Sequence, residues 1–281
     1  MEDVHQVRRQ LDEAGLVVVE KVLPQPDLLE VKRRLNYLTT HADFYSKHGL
    51  RFIPEPTVQG REDLEPFARY AKLEVLLWKD ELLWRKIITH PNLVRLTQAV
   101  LGPDYCINAG AIFMKPAHHG SPVPWHQDSA AWGLQAGAYE TGETPLLFDY
   151  WLALERATLE NGCLQFIPGS HKLGVVSHTA KKDGELVRTI KPDDFGYDAA
   201  SIVPVEANAG DLLIWHQDMF HASGPNRSAH SRAAVAGTFI SRKDLARMRE
   251  QRPKDTGLGI PICVEGRPVS LKDPVPATAE P

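Results

Sequence analysis

Trp125-His126-Gln127-Asp128 is the stretch with the most specific chemistry in the chain. On an extended strand, side chains two residues apart leave the same face. His126 and Asp128 would then present an imidazole nitrogen and a carboxylate oxygen side by side, fit for two adjacent corners of one metal ion. A further histidine would complete a 2-His-1-carboxylate facial triad, which leaves the opposite face of iron(II) open. His-x-Asp alone is weak evidence, because most such matches are strand-end residues in solvent or in hydrogen bonds. Its weight comes from what lies downstream.

Two histidines compete for the third place. His216 sits in a second Trp-His-Gln-Asp at 215–218, so His216 and Asp218 could themselves be the pair. His221 is followed by Ser223 at the next same-face position, then by Gly224-Pro225-Asn226, a turn, and by Arg232 eleven residues on. If that turn closes a hairpin, Arg232 returns beside the metal pocket, with small Ala234 and Ala236 after it at period two. A buried arginine needs an anion, and a dicarboxylic co-substrate would meet its planar fork. This setting favours His221; His216 and Asp218 read as structural or loop residues.

Composition narrows the class. The 281 residues are 43% hydrophobic and carry a net charge of −4, which advertises no basic face for nucleic acid or anionic lipid. Three widely spaced cysteines without CxxC spacing suit a reduced, cytoplasmic compartment. No run of 18 apolar residues suggests a membrane span, and the polar N-terminus lacks a secretory h-region.

The elements that must hold the site fall in two textures. Residues 3–14 have helical spacing with Gly15 as a stop, Leu16–Val22 reads as a strand, and Pro24 onward opens a helix with Leu28, Val31, Leu35 and Leu38 on one face. Residues 41–64 read as loops, Glu65–Thr89 as helical, and Pro91 starts a helix that Gly102 closes. After Pro103, short strands alternate with turn residues as far as Ile240, among them Leu146–Leu154 and the tight turn Asn161-Gly162. Residues 172–201 read as a polar surface loop and the last ten as poorly ordered. The whole predicts a mainly β jelly-roll core over 104–241, helices of 1–103 against its outer face, and a C-terminal extension over 242–281, all within one domain.

Lys115-Pro116, His126-Gln127-Asp128, Trp151, Asn161-Gly162-Cys163-Leu164, Pro168-Gly169-Ser170-His171-Lys172, Gly210-Asp211, His221-Ala222-Ser223-Gly224 and Arg232 together resemble the phytanoyl-CoA dioxygenase family, in order over about 105–240. The resemblance implies a double-stranded β-helix (jelly-roll, cupin-like) that uses iron(II), 2-oxoglutarate and O2. It implies His126, Asp128 and His221 as iron ligands, Arg232 and Ser223 at the distal carboxylate of 2-oxoglutarate, and Lys115 and Trp151 in the same pocket. The expected reaction is hydroxylation, or a related oxidation, of a small molecule with release of succinate and CO2. Halogenating relatives have a small residue where Asp128 stands, so the carboxylate points to hydroxylation. Trp132 and Tyr139 are candidate substrate contacts in a lid over 129–145, with His118, His119, Phe44 and Tyr45 as weaker ones. No basic cluster signals the phosphates of coenzyme A. The competing readings are a cupin-like metal enzyme without 2-oxoglutarate and a non-catalytic binder of iron or 2-oxoglutarate.

Overall fold

A computed structural model of the chain describes residues 4–131, 147–179, 188–251 and 257–279. In order, these form α1 (Val4–Ala14), β1 (Leu16–Val19), α2 (Gln25–Thr40), α3 (Ala42–Lys47), β2 (Arg51–Pro54), β3 (Tyr70–Glu74), α4 (Glu81–Leu83), α5 (Pro91–Leu101), β4 (Tyr105–Lys115), β5 (Val123–His126), α6 (Asp128–Ala131), β6 (Leu147–Ala153), β7 (Leu164–Phe166), β8 (Val203–Val205), β9 (Leu212–His216), β10 (His221–Ser223), β11 (Arg232–Ser241), α7 (Arg242–Gln251), β12 (Ile260–Val264) and β13 (Arg267–Pro268).

The strands make two antiparallel sheets. The larger runs β1-β9-β6-β11-β4-β12-β13, with β3 also on β4 and β2 on β3; the smaller runs β5-β10-β7-β8. The two do not close into one barrel among the described residues. All seven residues of β6 are buried, because both faces of the larger sheet are covered. Phe148, Tyr150 and Leu152 meet the core beneath the N-terminal helices, where Leu28, Val31, Leu35 and Leu38 of α2 are also buried. Trp151 and Ala153 point the other way and join Leu213, Trp215 and Phe166, which lie between the sheets. This is the expected arrangement: a mainly β, cupin-like core with helices on its outer face.

Gly15 ends α1 as expected. Its φ is +79° and its N–H reaches the carbonyl of Leu11 at 3.0 Å. A Cβ there would come within 2.4 Å of the His171 ring, so the helix stop also lets β1 pass close to the site's supporting loops.

Several local expectations do not hold. Residues 41–64 are not all loop, since they contain α3 and β2. Glu65–Thr89 is not one helix. A 3-10 turn over Pro66–Arg69 leads into β3, which pairs with β4 through Lys72, Leu73 and Glu74. The i, i+3, i+4 spacing of apolar residues there comes from successive short turns, and edge pairing to β4 outweighs local helical preference. The excursion over 172–201 is not wholly a surface loop, because Val176 and Ile190 are buried against Ile167 and Phe220. Nor is the tail loose: the Val275 N–H bonds to Lys79 O, Tyr45 Oη donates to Pro276 O, and the Ala279 N–H donates to Tyr37 Oη. Tyr45 is thereby a core residue, not a pocket wall.

Candidate metal centre

His126 ends β5 and His221 begins β10, and the two face each other as register partners across the smaller sheet. Their ring centroids are 4.1 Å apart. The strand stops at His126, so Asp128 is not a second same-face strand residue as the spacing suggested. It opens the short helix α6 instead, and the turn brings its carboxylate back to both rings. Asp128 Oδ1 lies 3.7 Å from His126 Nε2 and Oδ2 lies 3.5 Å from His221 Nε2. One ligand atom from each of the three residues falls within 4.8 Å of the others, as three donors around one ion would.

The surroundings prepare these donors. The Nδ1 atoms of His126 and His221 sit 2.8 Å and 3.0 Å from the carbonyls of Pro124 and Met219. Those carbonyls accept, so Nδ1 carries the proton and each Nε2 lone pair is left facing Asp128. Burial, and next the neighbouring His221, pushes the His126 imidazolium down to about 3, so the ring stays neutral and ligand-ready at physiological pH. Trp215 donates its indole N–H to Asp128 Oδ2 at 3.0 Å. Two imidazoles and a carboxylate in this arrangement fit a borderline divalent ion such as iron(II).

The second Trp-His-Gln-Asp does not bring His216 and Asp218 into this donor set. It buttresses the first. The Ser129 N–H bonds to Gln217 O, Gln127 Nε2 donates to Asp218 O, and Gln217 Oε1 accepts the Leu147 N–H. His216 Nδ1 accepts the Asp218 N–H, a local turn bond. Trp215 and Gln127 are the functional residues that sequence reasoning missed, although the repeated motif was their signal. Trp215→Phe should weaken iron(II) binding about 10- to 100-fold, the usual effect of losing an outer hydrogen bond to a ligand, with little loss of folding. Anaerobic equilibrium dialysis measures it, and unchanged affinity would remove Trp215 from this role.

A second cluster lies on the same interior. Lys115 ends β4 directly opposite Arg232 at the start of β11, and both are buried. Arg232 donates to Gly162 O at 2.8 Å, its guanidinium lies 5.2 Å from the centre of the Trp151 ring, and its Nε has no hydrogen-bond partner. Gly162, at φ +84°, has no room for a side chain: a Cβ would sit 2.5 Å from Gly224 O and 3.0 Å from Lys115 Cδ. The Asn-Gly turn thus puts a bare carbonyl beside Arg232. Lys115 Nζ donates to Ser121 O and Gly224 O. Burial, then the charge of Arg232, pushes the Lys115 ammonium down to about 6, and burial pushes Arg232 down to about 10. Two buried bases with no carboxylate in contact among the described residues make a site short of an anion. Ser223 is buried nearby on β10, where it pairs with Leu164 just past the same turn.

Trp132 and Tyr139 lie outside the described residues. A cavity of about 830 Å³ opens elsewhere, along Arg8, Val100, Asp104, Arg242 and Arg247, and none of the described site residues lines it.

Comparison with known proteins agrees with this geometry. The family described as phytanoyl-CoA dioxygenase matches residues 11–234. The chain belongs to this family. It is 29% identical over 168 residues to L-proline trans-4-hydroxylase of Streptomyces griseoviridis, covering 55% of this chain and 61% of the relative. The chain therefore spans less than two thirds of that relative's length. It is 30% identical over 200 residues to phytanoyl-CoA dioxygenase domain-containing protein 1 of Mus musculus, covering 68% and 66%. Among solved structures, the non-heme monooxygenase ThoJ superposes with a TM-score of 0.60 at 26% identity, covering 85% of this chain and 77% of ThoJ. EctD from S. alaskensis gives 0.67 at 17% identity over 98% and 88%, a likeness of fold. The phytanoyl-CoA dioxygenase family works with iron(II) and 2-oxoglutarate, and the donor set and the anion-short pocket fit both. No helix among the described residues is long and apolar enough to cross a membrane.

Proposed function

We propose that the chain is an iron(II)/2-oxoglutarate-dependent oxygenase that hydroxylates, or otherwise oxidises, an unactivated C–H of a small organic molecule, with succinate and CO2 as co-products. The observation that carries this is the pairing, inside one cupin-like fold, of a His-Asp-His donor set with a buried arginine that has no acid in contact among the described residues. The alternative metal enzyme without 2-oxoglutarate leaves Arg232 and Lys115 without a purpose that offsets their desolvation.

When bound, iron(II) supplies the activation of dioxygen that couples decarboxylation of the keto acid to C–H oxidation. The chain supplies positioning. His126, Asp128 and His221 would hold the ion, and each is itself held by a partner that fixes its direction. Arg232 and Ser223 would hold the distal carboxylate of 2-oxoglutarate, with Lys115 beside them in the same pocket. Trp151 covers one side of the guanidinium and keeps water from competing for it.

Anaerobic addition of 2-oxoglutarate to the iron(II)-loaded protein should produce the weak visible charge-transfer band of a chelated keto acid. Admitting oxygen should then release succinate, slowly alone and faster with the right substrate. If there is neither a band nor succinate above a metal-free control, the oxygenase reading is wrong.

A further inference from the structure

The interior between the sheets holds a second ionisable group without a full set of partners, at the opposite end of β11 from Arg232. Asp149 of β6 is only 1% exposed. It shares its face with Trp151 and Ala153, the face that looks between the sheets. Its register partners are Thr238 on β11 and Trp215 on β9. Trp215 is the residue that donates to Asp128, so Asp149 stands at the level of the metal centre. Six residues separate Thr238 from Arg232 along β11, about 20 Å at strand rise. The positions between on that face are Ala234 and Ala236; across from them on β4 stand Phe113 and Ala111, and Ala109 stands across from Thr238. Ala236 and Ala109 are only half-buried although they lie in the middle of the sheet. Small side chains with exposed surface at that place border open space, not a filled core.

Within this space Asp149 is incompletely satisfied. Thr238 Oγ1 donates to Oδ1 at 2.5 Å, while Oδ2 is buried with no hydrogen-bond partner. Burial, and next the Asp128 carboxylate, holds the acid well above the usual carboxylate range, with Asp218 adding in the same direction. Its charged neighbours are thus acids, and no basic side chain among the described residues pairs with it. Such a buried carboxyl keeps its proton while it stands alone, and releases it to solvent when a cationic hydrogen-bond donor takes the place beside it. Arg232 cannot serve, because it lies at the far end and is committed to Gly162 and the anion pocket.

We propose that Asp149 is the substrate-selecting residue of the site and that the substrate carries a protonated amine that binds Asp149 Oδ2. The inference rests on the oxygenase reading and adds a chemical class to it. The amine anchored at Asp149 and the keto acid anchored at Arg232 would approach the metal centre from opposite ends, so that the two ligands do not compete for one charge. Thr238 orients the carboxylate and leaves Oδ2 free for the ligand.

The test is anaerobic calorimetry on protein loaded with iron(II) and 2-oxoglutarate. The probes are a panel of aliphatic and alicyclic amines, each paired with its isosteric alcohol and carboxylic acid. At least one amine should bind about 10- to 100-fold tighter than its alcohol, the range for a hydrogen bond to a charged group. Asp149→Asn, which keeps an acceptor for Thr238, should bring that ratio near one and leave 2-oxoglutarate affinity unchanged. Thr238→Val retains the carboxylate but releases its orientation, and should reduce the preference for amines without abolishing it. If no amine is preferred by the wild-type protein, or if Asp149→Asn keeps the preference, the inference is overturned. Wild-type preference needs no variant, so a misfolded Asp149→Asn does not rescue the idea. Binding of 2-oxoglutarate is measured in the same titrations; its absence in wild-type protein would sink the oxygenase reading itself, a result distinct from loss of amine selectivity.

Discussion

Arg232→Ala should lower the affinity for 2-oxoglutarate by at least about a hundredfold while iron(II) binding stays nearly unchanged. Removing one partner from a desolvated charge pair costs about 3–5 kcal/mol, and each 1.4 kcal/mol is a factor of ten. The environment of Arg232 places it in that regime. It is 2% exposed, its Nε is unpartnered, and its contacts are a carbonyl and an aromatic face, neither of which neutralises it. Lys115 cannot take over, because its ammonium already donates to two carbonyls and is held down by burial. Arg232→Lys should recover only part of the affinity, since a point charge lacks the planar fork. Calorimetry with 2-oxoglutarate, beside anaerobic dialysis for iron, separates the two effects. Undiminished 2-oxoglutarate affinity in Arg232→Ala would remove this residue from the co-substrate site. An accompanying loss of iron would mean that the substitution disturbs the sheet as a whole.

The parts of the fold that sequence made legible are those in which one local rule acts without competition. The stripe Leu28, Val31, Leu35, Leu38 and the stop at Gly15 each report a helix, and both are found. The apolar and aromatic run Leu146–Leu154 reports a strand, and β6 spans most of it. The misreadings arise where distant pairing decides. Tyr70–Glu74 has spacing compatible with a helix, but β4 offers an open edge and the segment extends along it. The tail looks polar and loose in sequence, yet Arg34, Tyr37 and Tyr45 provide donors and acceptors that tie it down. At the site, side-chain identity was legible because metal and carboxylate chemistry restrict it to few residue types. The local backbone was not: His126 and Asp128 meet through a strand-to-helix turn and not through the pleat. Nor did composition reveal that Trp215 steadies Asp128, because an indole N–H becomes a support only where folding delivers it. Asp149 is silent in sequence for the same reason, as a lone acid inside an apolar strand.

Loss of any one member of His126, Asp128 and His221 should lower iron(II) affinity by well over a hundredfold, with His216→Ala as the internal control. Substitution of outer partners of metal ligands already costs about 10- to 100-fold, and removing a donor itself must exceed that. His126 and His221 would each contribute one Nε2, fixed by an Nδ1 bond to a carbonyl, so neither ring can turn to replace the other. Asp128 contributes the negative charge that offsets part of the ion's. Asp128→Gly therefore removes a ligand and a charge together, and should abolish the succinate release expected of the wild-type protein. Chloride could enter the vacated position, yet productive halogenation needs the substrate radical held nearer chloride than hydroxide, which one substitution does not arrange. His216→Ala removes a side chain whose Nδ1 bonds only within its own turn, so iron affinity should change less than about tenfold. Equilibrium dialysis of the four variants ranks them directly. If His216→Ala lost iron while His221→Ala kept it, the donor set would have to be rebuilt on the second Trp-His-Gln-Asp, and the hydrogen bond from Trp215 to Asp128 would need another explanation.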